Sequence, residues 1–475
     1  LPFAIYARRR YGAPMINRAD INSQQPLGET IFALATAPGR AGVSIMRISG
    51  PRAKSVCAQF LAGPKPKLPK PRAAGLRTLH DPQTGEPIDQ ALVLRFNGPA
   101  SFTGEDMAEL HLHGSPAIIE AISAALFSLG LRQARAGEFT RRAFENGRMD
   151  LTQAEGLADL IDAQTTAQRR QAYRQMDGGL RDIYEGWREG IMDALAAVEG
   201  EIDFPDEQDI PDKLALRAGE SLDSLINALK KTLSNVHRGE TIRHGLDIAI
   251  IGAPNAGKSS LLNALAKRDA AIVSETAGTT RDIVEVHMVM GGIPVRLSDT
   301  AGLRDTDDDI EAQGVARALK RADDADLRIG VVDASAAAAF DLGQHLRDGD
   351  MLALNKCDAF SGGAAAHNVS RETLQLHSIS AKTGQGVEGL AAALEALVQE
   401  RFGLRADIGL TRARHAACAK TCLEALERAR TNLDLAPELA GEDLRRALHA
   451  IKELAGEADI EAVLGRIFSR FCVGK

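Results

Sequence analysis

Hydrophobic and polar positions along the chain follow two different periods. From about residue 29 to 145, short β-rich runs alternate with helical ones. Ile31 to Ala35, Gly42 to Ile48, Ala91 to Phe96 and Met107 to His113 read as strands. Pro116 to Leu129 reads as an amphipathic helix. The stretch predicts an α/β or α+β domain. Inside it, Pro64-Lys65-Pro66-Lys67-Leu68-Pro69-Lys70-Pro71 predicts an exposed loop, because proline fixes φ and removes a backbone donor.

The period changes near Asp150. Asp150 and Gln153 predict an N-cap with its reciprocal cap. Leu151, Ala154, Leu157, Ala158 and Ile161 then fall at helical spacing, and the helical pattern runs to about 240 with a break at Phe204-Pro205-Asp206-Glu207. Residues 246–403 alternate β and α. Past 410 the chain is helical again: Leu444, Ala447, Leu448, Ile451, Leu454 and Ala455 share a face, and Gly456 predicts the C-cap. Neither helical segment carries an obvious core of its own. The economical reading is one discontinuous helical domain with an α/β domain inserted; two separate bundles are the alternative. The expected boundaries are an N-terminal extension 1–28, an α/β domain 29–145, the first helical half 146–243, the inserted domain 244–403 and the second helical half 404–475. Residues 1–14 read as an upstream extension before Met15, since the apolar stretch precedes Arg8-Arg9-Arg10, the reverse of a signal peptide.

The inserted segment carries the chemistry. Gly252-Ala253-Pro254-Asn255-Ala256-Gly257-Lys258-Ser259 sits between the apolar run Leu246 to Ile251 and the helix-like run Leu261 to Ala266. Strand, glycine-rich loop and helix start, in that order, predict a phosphate-binding loop. Gly252 and Gly257 let backbone N–H groups approach phosphate oxygens, Lys258 supplies a charge for the β/γ-phosphates, and Ser259 offers a hydroxyl to Mg²⁺. Ala256 and Ser260 complete the cradle. Downstream lie Asp299-Thr300-Ala301-Gly302, Asn355-Lys356-Cys357-Asp358 and Ser380-Ala381-Lys382. Asp299 ends a strand and would hold Mg²⁺ through water; the Gly302 N–H would sense the γ-phosphate. A carboxylate such as Asp358 accepts two N–H groups from a guanine edge, a pattern adenine does not offer. Four elements in this order point to a guanine-nucleotide site of the Ras-like P-loop class. Leu303 stands where such enzymes place a water-orienting Gln, and leucine makes no hydrogen bond. Gly278-Thr279-Thr280-Arg281-Asp282 reads as a switch loop with Thr280 as second Mg²⁺ ligand. Asn255 is placed to hold a monovalent cation, and Glu311 is a candidate to orient water.

The composition fits an ordinary globular chain of 475 residues, 44% apolar and 25% charged. That length predicts two to four domains. A net charge of −7 argues against indiscriminate coating of nucleic acid but not against a local basic face. The five scattered cysteines predict reduced thiols and a cytoplasmic protein, and no apolar run is long enough to span a bilayer. His111 with His113 on one strand face, and His415, Cys418 and Cys422 on one helical face, are conceivable metal ligands; structural or site-adjacent roles are favoured for the first and apolar core positions for the second.

The chain is similar, from about Thr30 to Lys475, to the tRNA-modification GTPase MnmE (TrmE) family. The matches are Ala35 to Arg40, Arg47 to Gly50, Ser101 to Asp106, Gly137 to Phe144, Phe204 to Glu207, the nucleotide motifs, Leu464 to Phe468 and the terminal Phe471-Cys472-Val473-Gly474-Lys475. Val473 and Ala37 depart from the family pattern, which has Ile and Pro there. The resemblance implies a homodimer working with a flavin-dependent partner, MnmG (GidA), in a heterotetramer or larger complex. Together they modify carbon five of the tRNA wobble uridine, adding an aminomethyl or carboxymethylaminomethyl group. It implies an N-terminal domain that binds 5-formyltetrahydrofolate or a related folate through Arg47, Glu109, Arg148 and Lys475. It implies GTP hydrolysis with K⁺, held by Asn255, Ser274, Thr276 and Thr279 within the loop that also contains Glu275, Ala277, Gly278 and Thr280. Glu311 matches the family's water-orienting glutamate. Cys472, two residues before Lys475, stands as a nucleophilic or redox thiol against a packing role. The lysines of the Pro64–Pro71 loop, and Arg141, Arg142 and Arg148, are possible tRNA contacts, with solvation the default. A ribosome-assembly or translation-associated GTPase switch is the competing function; the terminal motif and the N-terminal domain favour the first.

Overall fold

The computed structural model describes residues 29–62, 67–203, 214–268, 285–299, 322–334, 345–359, 374–403, 409–457, 461–469 and 471–474. The chain divides into two compact units, Leu1–Met149 with Ala462–Lys475, and Asp150–Glu461.

The first unit is built on a six-stranded sheet of order β3-β4-β5-β2-β1-β6. Its strands are β1 (Ile31–Leu34), β2 (Ala41–Ser49), β3 (Gly75–His80), β4 (Pro87–Phe96), β5 (Met107–Gly114) and β6 (Arg132–Gln133). All neighbours are antiparallel except β1 and β6. Period-two alternation sends Ala108, Leu110 and Leu112 inward and Glu109, His111 and His113 outward. The inner face packs Met46, Ile48, Val93, Leu110 and Leu112 against helices α1 (Ala53–Gln59) and α2 (Pro116–Ser128). On the opposite side, Phe139 of α3 (Glu138–Glu145) joins Ile31, Ala33 and Ala134 in a smaller core.

The chain end completes this unit. The helix Glu461–Phe468 leads to Val473, which bridges Ala136. The Phe468 ring lies 6.3 Å from that of Phe144 and 5.8 Å from that of Phe471. Gly137 adopts φ +67°, and a Cβ there would stand 2.4 Å from the Phe468 carbonyl oxygen, so only glycine allows the approach. Periodicity alone assigned residues 462–474 to the helical second half; the structure groups them with the N-terminal sheet.

In the second unit, α4 (Leu151–Asp162), α5 (Thr166–Met176), α6 (Gly179–Asp203), α7 (Leu214–Ser234) and α8 (Val236–His244) precede the inserted domain, and α11 (Ala413–Asn432) and α12 (Pro437–Ala455) follow it. Leu180, Tyr184, Trp187, Leu222 and Leu229 share one core with Cys422, Leu426, Leu444 and Ile451. Both halves therefore form a single discontinuous bundle, not two. The expected capping box is present: the Gln153 amide donates to Asp150 Oδ1 at 2.8 Å and the Asp150 amide to Gln153 Oε1 at 3.1 Å. A second box, Thr165 with Gln168, starts α5 and breaks what periodicity read as one run.

The inserted domain is a sheet of order β12-β11-β10-β7-β9-β8, made of β7 (Leu246–Gly252), β8 (Glu285–Met290), β9 (Ile293–Asp299), β10 (Leu327–Asp333), β11 (Met351–Asn355) and β12 (Gln375–Ser378). Every pairing is parallel except β8 with β9. Helices α9 (Lys258–Arg268) and α10 (Val387–Phe402) pack against it. Strand order reverses at β7, which leaves a crevice at its carboxyl end.

A buried polar joint ties α4 to the segment that returns from the inserted domain. Glu155 Oε2 meets His415 Nε2 at 2.6 Å and Arg414 Nη2 at 2.9 Å, and Asp159 accepts from Arg412 Nη2 at 2.7 Å. Burial works to raise the Glu155 pKa, but His415 and Arg414 overcome it and hold the carboxyl well below its usual range. Burial pushes the His415 pKa down. It pushes the Cys422 thiol up to about 12. These are core positions, as favoured from the sequence, and the described residues hold no cluster of three metal-ligating side chains.

Glu155→Gln removes the carboxylate shared by His415 and Arg414 and should cost about 3 kcal/mol at neutral pH. Because the folded-state pKa is depressed, this stabilisation is present above the ordinary glutamate value and fades as pH falls through the folded one. The melting-temperature gap between variant and parent should hold from about pH 7 to about pH 5 and narrow from there towards about pH 3; a gap independent of pH would contradict the account.

Candidate functional site

β7 delivers the chain to the crevice, and α9 begins at Lys258, so the turn Ala253–Gly257 has to reverse direction within a few residues. Asn255 takes φ +61° and is exposed. Gly257 takes φ +94°, and a Cβ there would stand 2.1 Å from the Asn355 side-chain nitrogen. Asn355, the last residue of β11, is buried. Its Nδ2 donates to the Ala256 carbonyl at 2.8 Å, and its Oδ1 accepts from the Ala381 amide at 2.9 Å. One side chain thus pins the phosphate loop to the loop after β12, and its bulk is why position 257 must be glycine.

Lys258 is buried, and its Nζ donates to the carbonyls of Gly252 at 2.9 Å and Ala253 at 2.8 Å. Burial pushes its pKa down, opposed by the Asp299 carboxylate. The Ser259 hydroxyl donates to Asp299 Oδ2 at the end of β9. Two oxygen donors are thereby brought to one point beside the lysine, a donor set suited to a hard divalent cation. Ser260 is exposed on the first turn of α9. Lys356, with φ +65°, sends its Nζ to Asp333 Oδ2 at 2.6 Å. Asp358 lies on a 3-10 turn, Cys357–Ala359, with its side chain exposed. Ser380 is buried and its Oγ accepts from the Thr383 amide at 3.2 Å, while Lys382 is exposed.

On the outer face of the first unit's sheet, Arg47 Nε donates to Glu109 Oε1 at 3.0 Å. The Arg47 guanidinium lies 5.4 Å from the Phe102 ring centroid and 5.7 Å from that of Phe139. His111 Nε2 stands 3.4 Å from the other Glu109 oxygen. Arg148 is exposed and runs beside Gly104, on the loop that carries Phe102. The chain end passes nearby: the Gly474 backbone lies against the Leu34 carbonyl, and Leu34 pairs with Met46, the neighbour of Arg47. Cys472 is exposed.

Comparison with known proteins matches residues 30–148 to the GTP-binding protein TrmE N-terminus and residues 151–472 to the MnmE helical domain. The tRNA modification GTPase MnmE of Maricaulis maris is 53% identical over 450 residues, covering 94% of this chain and 100% of that protein. The namesake from Caulobacter vibrioides is 50% identical over 451 residues, with 94% and 100% coverage. Among solved structures, the G domain of the T. maritima FeoB iron transporter aligns at TM-score 0.26 and 25% identity over 32% of this chain and 99% of that one. The chain belongs to the MnmE family.

Against that family frame, the structure brings together Ala256, Gly257, Lys258, Ser259, Asp299, Asn355 and Ala381 in one place, and Arg47 with Glu109 in another. Ser274, Glu275, Thr276, Ala277, Gly278, Thr279, Thr280, Thr300, Ala301, Gly302, Glu311 and Lys475 lie outside the described residues. Arg142, read from the sequence as a solvated or RNA-facing arginine, is instead buried: its Nη1 donates to Glu105 Oε2 at 2.9 Å and its Nη2 to Glu138 Oε1 at 3.1 Å. Arg141 pairs with Glu145 at 2.7 Å. His113 pairs with Asp89 at 2.7 Å. The aromatic bed under Arg47 went unread in the sequence. Its only local signal is the placement of Phe102 and Phe139 in two of the family's motifs.

Asn355→Ala leaves the Ala256 carbonyl and the Ala381 amide buried without a partner. The expected loss is about 2 kcal/mol of stability in the inserted domain, with guanine-nucleotide affinity at least about tenfold weaker. Titration with a fluorescent GDP analogue measures it; unchanged affinity would show that the bridge does not shape the loop.

Proposed function

We propose that this chain is a potassium-dependent GTP hydrolase that works with the flavin-dependent MnmG to modify carbon five of the tRNA wobble uridine, using a one-carbon unit from a folate. The observation that carries the reading is the convergence of Lys258, Ser259, Asp299 and Asn355 at the carboxyl end of β7. With a triphosphate in the loop, Lys258 exchanges its two carbonyl partners for phosphate oxygens, which restores a full counter-charge to a buried ammonium. Ser259, Asp299 and Thr280 would hold Mg²⁺, which neutralises charge on the β- and γ-phosphates. Asp358 accepts from the guanine edge, and Ser380, Ala381 and Lys382 back the base. Lys356 braces this loop through Asp333. The role expected of Gly302, with Thr300 and Ala301, is to sense the γ-phosphate through a backbone N–H.

Leu303 leaves the water-orienting place without a hydrogen-bonding group. In this reading Glu311 orients water. Asn255, with Ser274, Thr276 and Thr279, would hold K⁺, which supplies positive charge beside the phosphates. The left-handed, exposed Asn255 supports that role, since its carboxamide has no side-chain hydrogen bond among the described residues. In the first unit, Glu109 offers a carboxylate for the amidine-like edge of a pterin. The partly buried Phe102 offers a ring face, and Arg47, Arg148 and Lys475 offer cations for the folate tail. Cys472 is proposed as a reactive thiol at the same end of the sheet. The exposed, paired Leu76 and Leu92 on the outer face support a homodimer. Among the described residues no helix is long and apolar enough to cross a membrane. The proposed setting is the cytoplasm.

GTP turnover should be at least about tenfold faster in KCl than in NaCl, and Asn255→Ala should abolish the difference. The same substitution should lower wobble-uridine modification in cells. Equal rates in the two salts for the parent chain would remove the potassium mechanism. Unchanged wobble nucleosides in cells lacking the gene would remove the proposed role.

A further inference from the structure

α5 divides its two sides unusually cleanly. Its inward side buries Ala167 in the core of the inserted domain, Ala172, and Gln175, whose Nε2 donates to the Thr152 carbonyl of α4 at 2.8 Å. Gln168 Nε2 donates to the Arg243 carbonyl at 3.0 Å, and Gln171 Nε2 to the Gly239 carbonyl at 3.1 Å, both in the helix that leads into β7. The other side presents Arg169, Arg170, Tyr173 and Arg174, all exposed, within one arc of the helix. From Ala163 to Met176 there is no Asp or Glu, in a chain whose net charge is −7. Several arginines elsewhere are matched to carboxylates, as Arg132 and Arg142 to Glu138, Arg412 to Asp159, Arg414 to Glu155 and Arg430 to Asp223, and others, such as Arg52 and Arg72, donate to backbone carbonyls. Arg169 and Arg170 enter no ion pair among the described residues. Tyr173 is 51% exposed.

Adjacent exposed guanidinium groups with no acid among them make a local positive field that draws anions, whereas a solvated surface usually intersperses acids. A flat aromatic ring between arginines fits a ligand with both phosphates and bases, since bases stack on tyrosine while arginines take the backbone. An acidic protein surface would satisfy the charges but not the ring. We infer that the outward face of α5, through Arg169, Arg170 and Tyr173, is a docking surface for the tRNA backbone. The inference rests on the reading that this chain acts on tRNA, and it deepens that reading by naming where the RNA lies. It also gives α5 two engagements: one side meets RNA, while the other holds the carbonyls of the segment that becomes β7 and the phosphate loop.

The test uses the full-length chain and an unmodified tRNA transcript, with affinity measured from about 50 to 200 mM KCl. R169Q/R170Q should weaken binding about tenfold and reduce the log–log salt slope by about 1 to 2. R169K/R170K should keep the slope, which separates charge from any effect on folding. Tyr173→Ala should weaken binding with the slope unchanged, because stacking releases no counterions. Parent-like affinity and slope in R169Q/R170Q, or a lysine variant as weak as the glutamine one, would overturn the docking surface while leaving tRNA as substrate. Absence of tRNA binding by the parent chain, alone and with its flavin-dependent partner, would instead strike the underlying reading.

Discussion

The nucleotide site depends on the carboxamide of Asn355. A buried amide with a donor and an acceptor can satisfy two backbone groups at once, and here it takes one from the phosphate loop and one from the loop after β12. Both groups would otherwise be desolvated without partners, a penalty of about 1 to 3 kcal/mol each. The carboxamide also occupies the space where residue 257 would carry a Cβ, so glycine there answers to Asn355 as well as to phosphate. The two ends of the site, triphosphate and base, are therefore fixed to each other before any ligand arrives, which limits the ordering cost on binding.

Charge is handled differently in the two units. In the first, Glu105, Glu138, Arg132 and Arg142 neutralise one another under the sheet, and Arg47 is laid on aromatic rings beside Glu109. In the second, α4 collects the arginines that follow the inserted domain, so the return of the chain to the bundle is set by Glu155 and Asp159. Such joints are costly to desolvate and costly to break, and they hold one arrangement against alternatives.

Much of this was legible from the chain. Strands with strict alternation, such as Met107–Gly114, and helices with explicit caps, such as the one begun by Asp150, declare themselves because the signal is local. The phosphate loop and its partner motifs were legible because each residue type answers a distinct chemical need. β3 was not: as an edge strand with Leu76 and Thr78 exposed and Arg77 half-buried, its apolar positions do not mark an inner face. Nor was α3, whose buried face includes Glu138 and Arg142 and so mimics a surface helix. The destination of the C-terminal segment depends on a bridge between Ala136 and Val473, a contact across the whole sequence that no local period encodes.

The claim that Asn355 prebuilds the site is most directly tested by hydrogen exchange at the Ala381 amide in nucleotide-free protein. The account predicts protection comparable to the β11 strand amides, because that N–H is held by a buried carboxamide, and loss of the protection in Asn355→Ala. Exchange at the rate of an open surface loop in the parent protein would mean that the bridge forms only with nucleotide, and the account would be wrong.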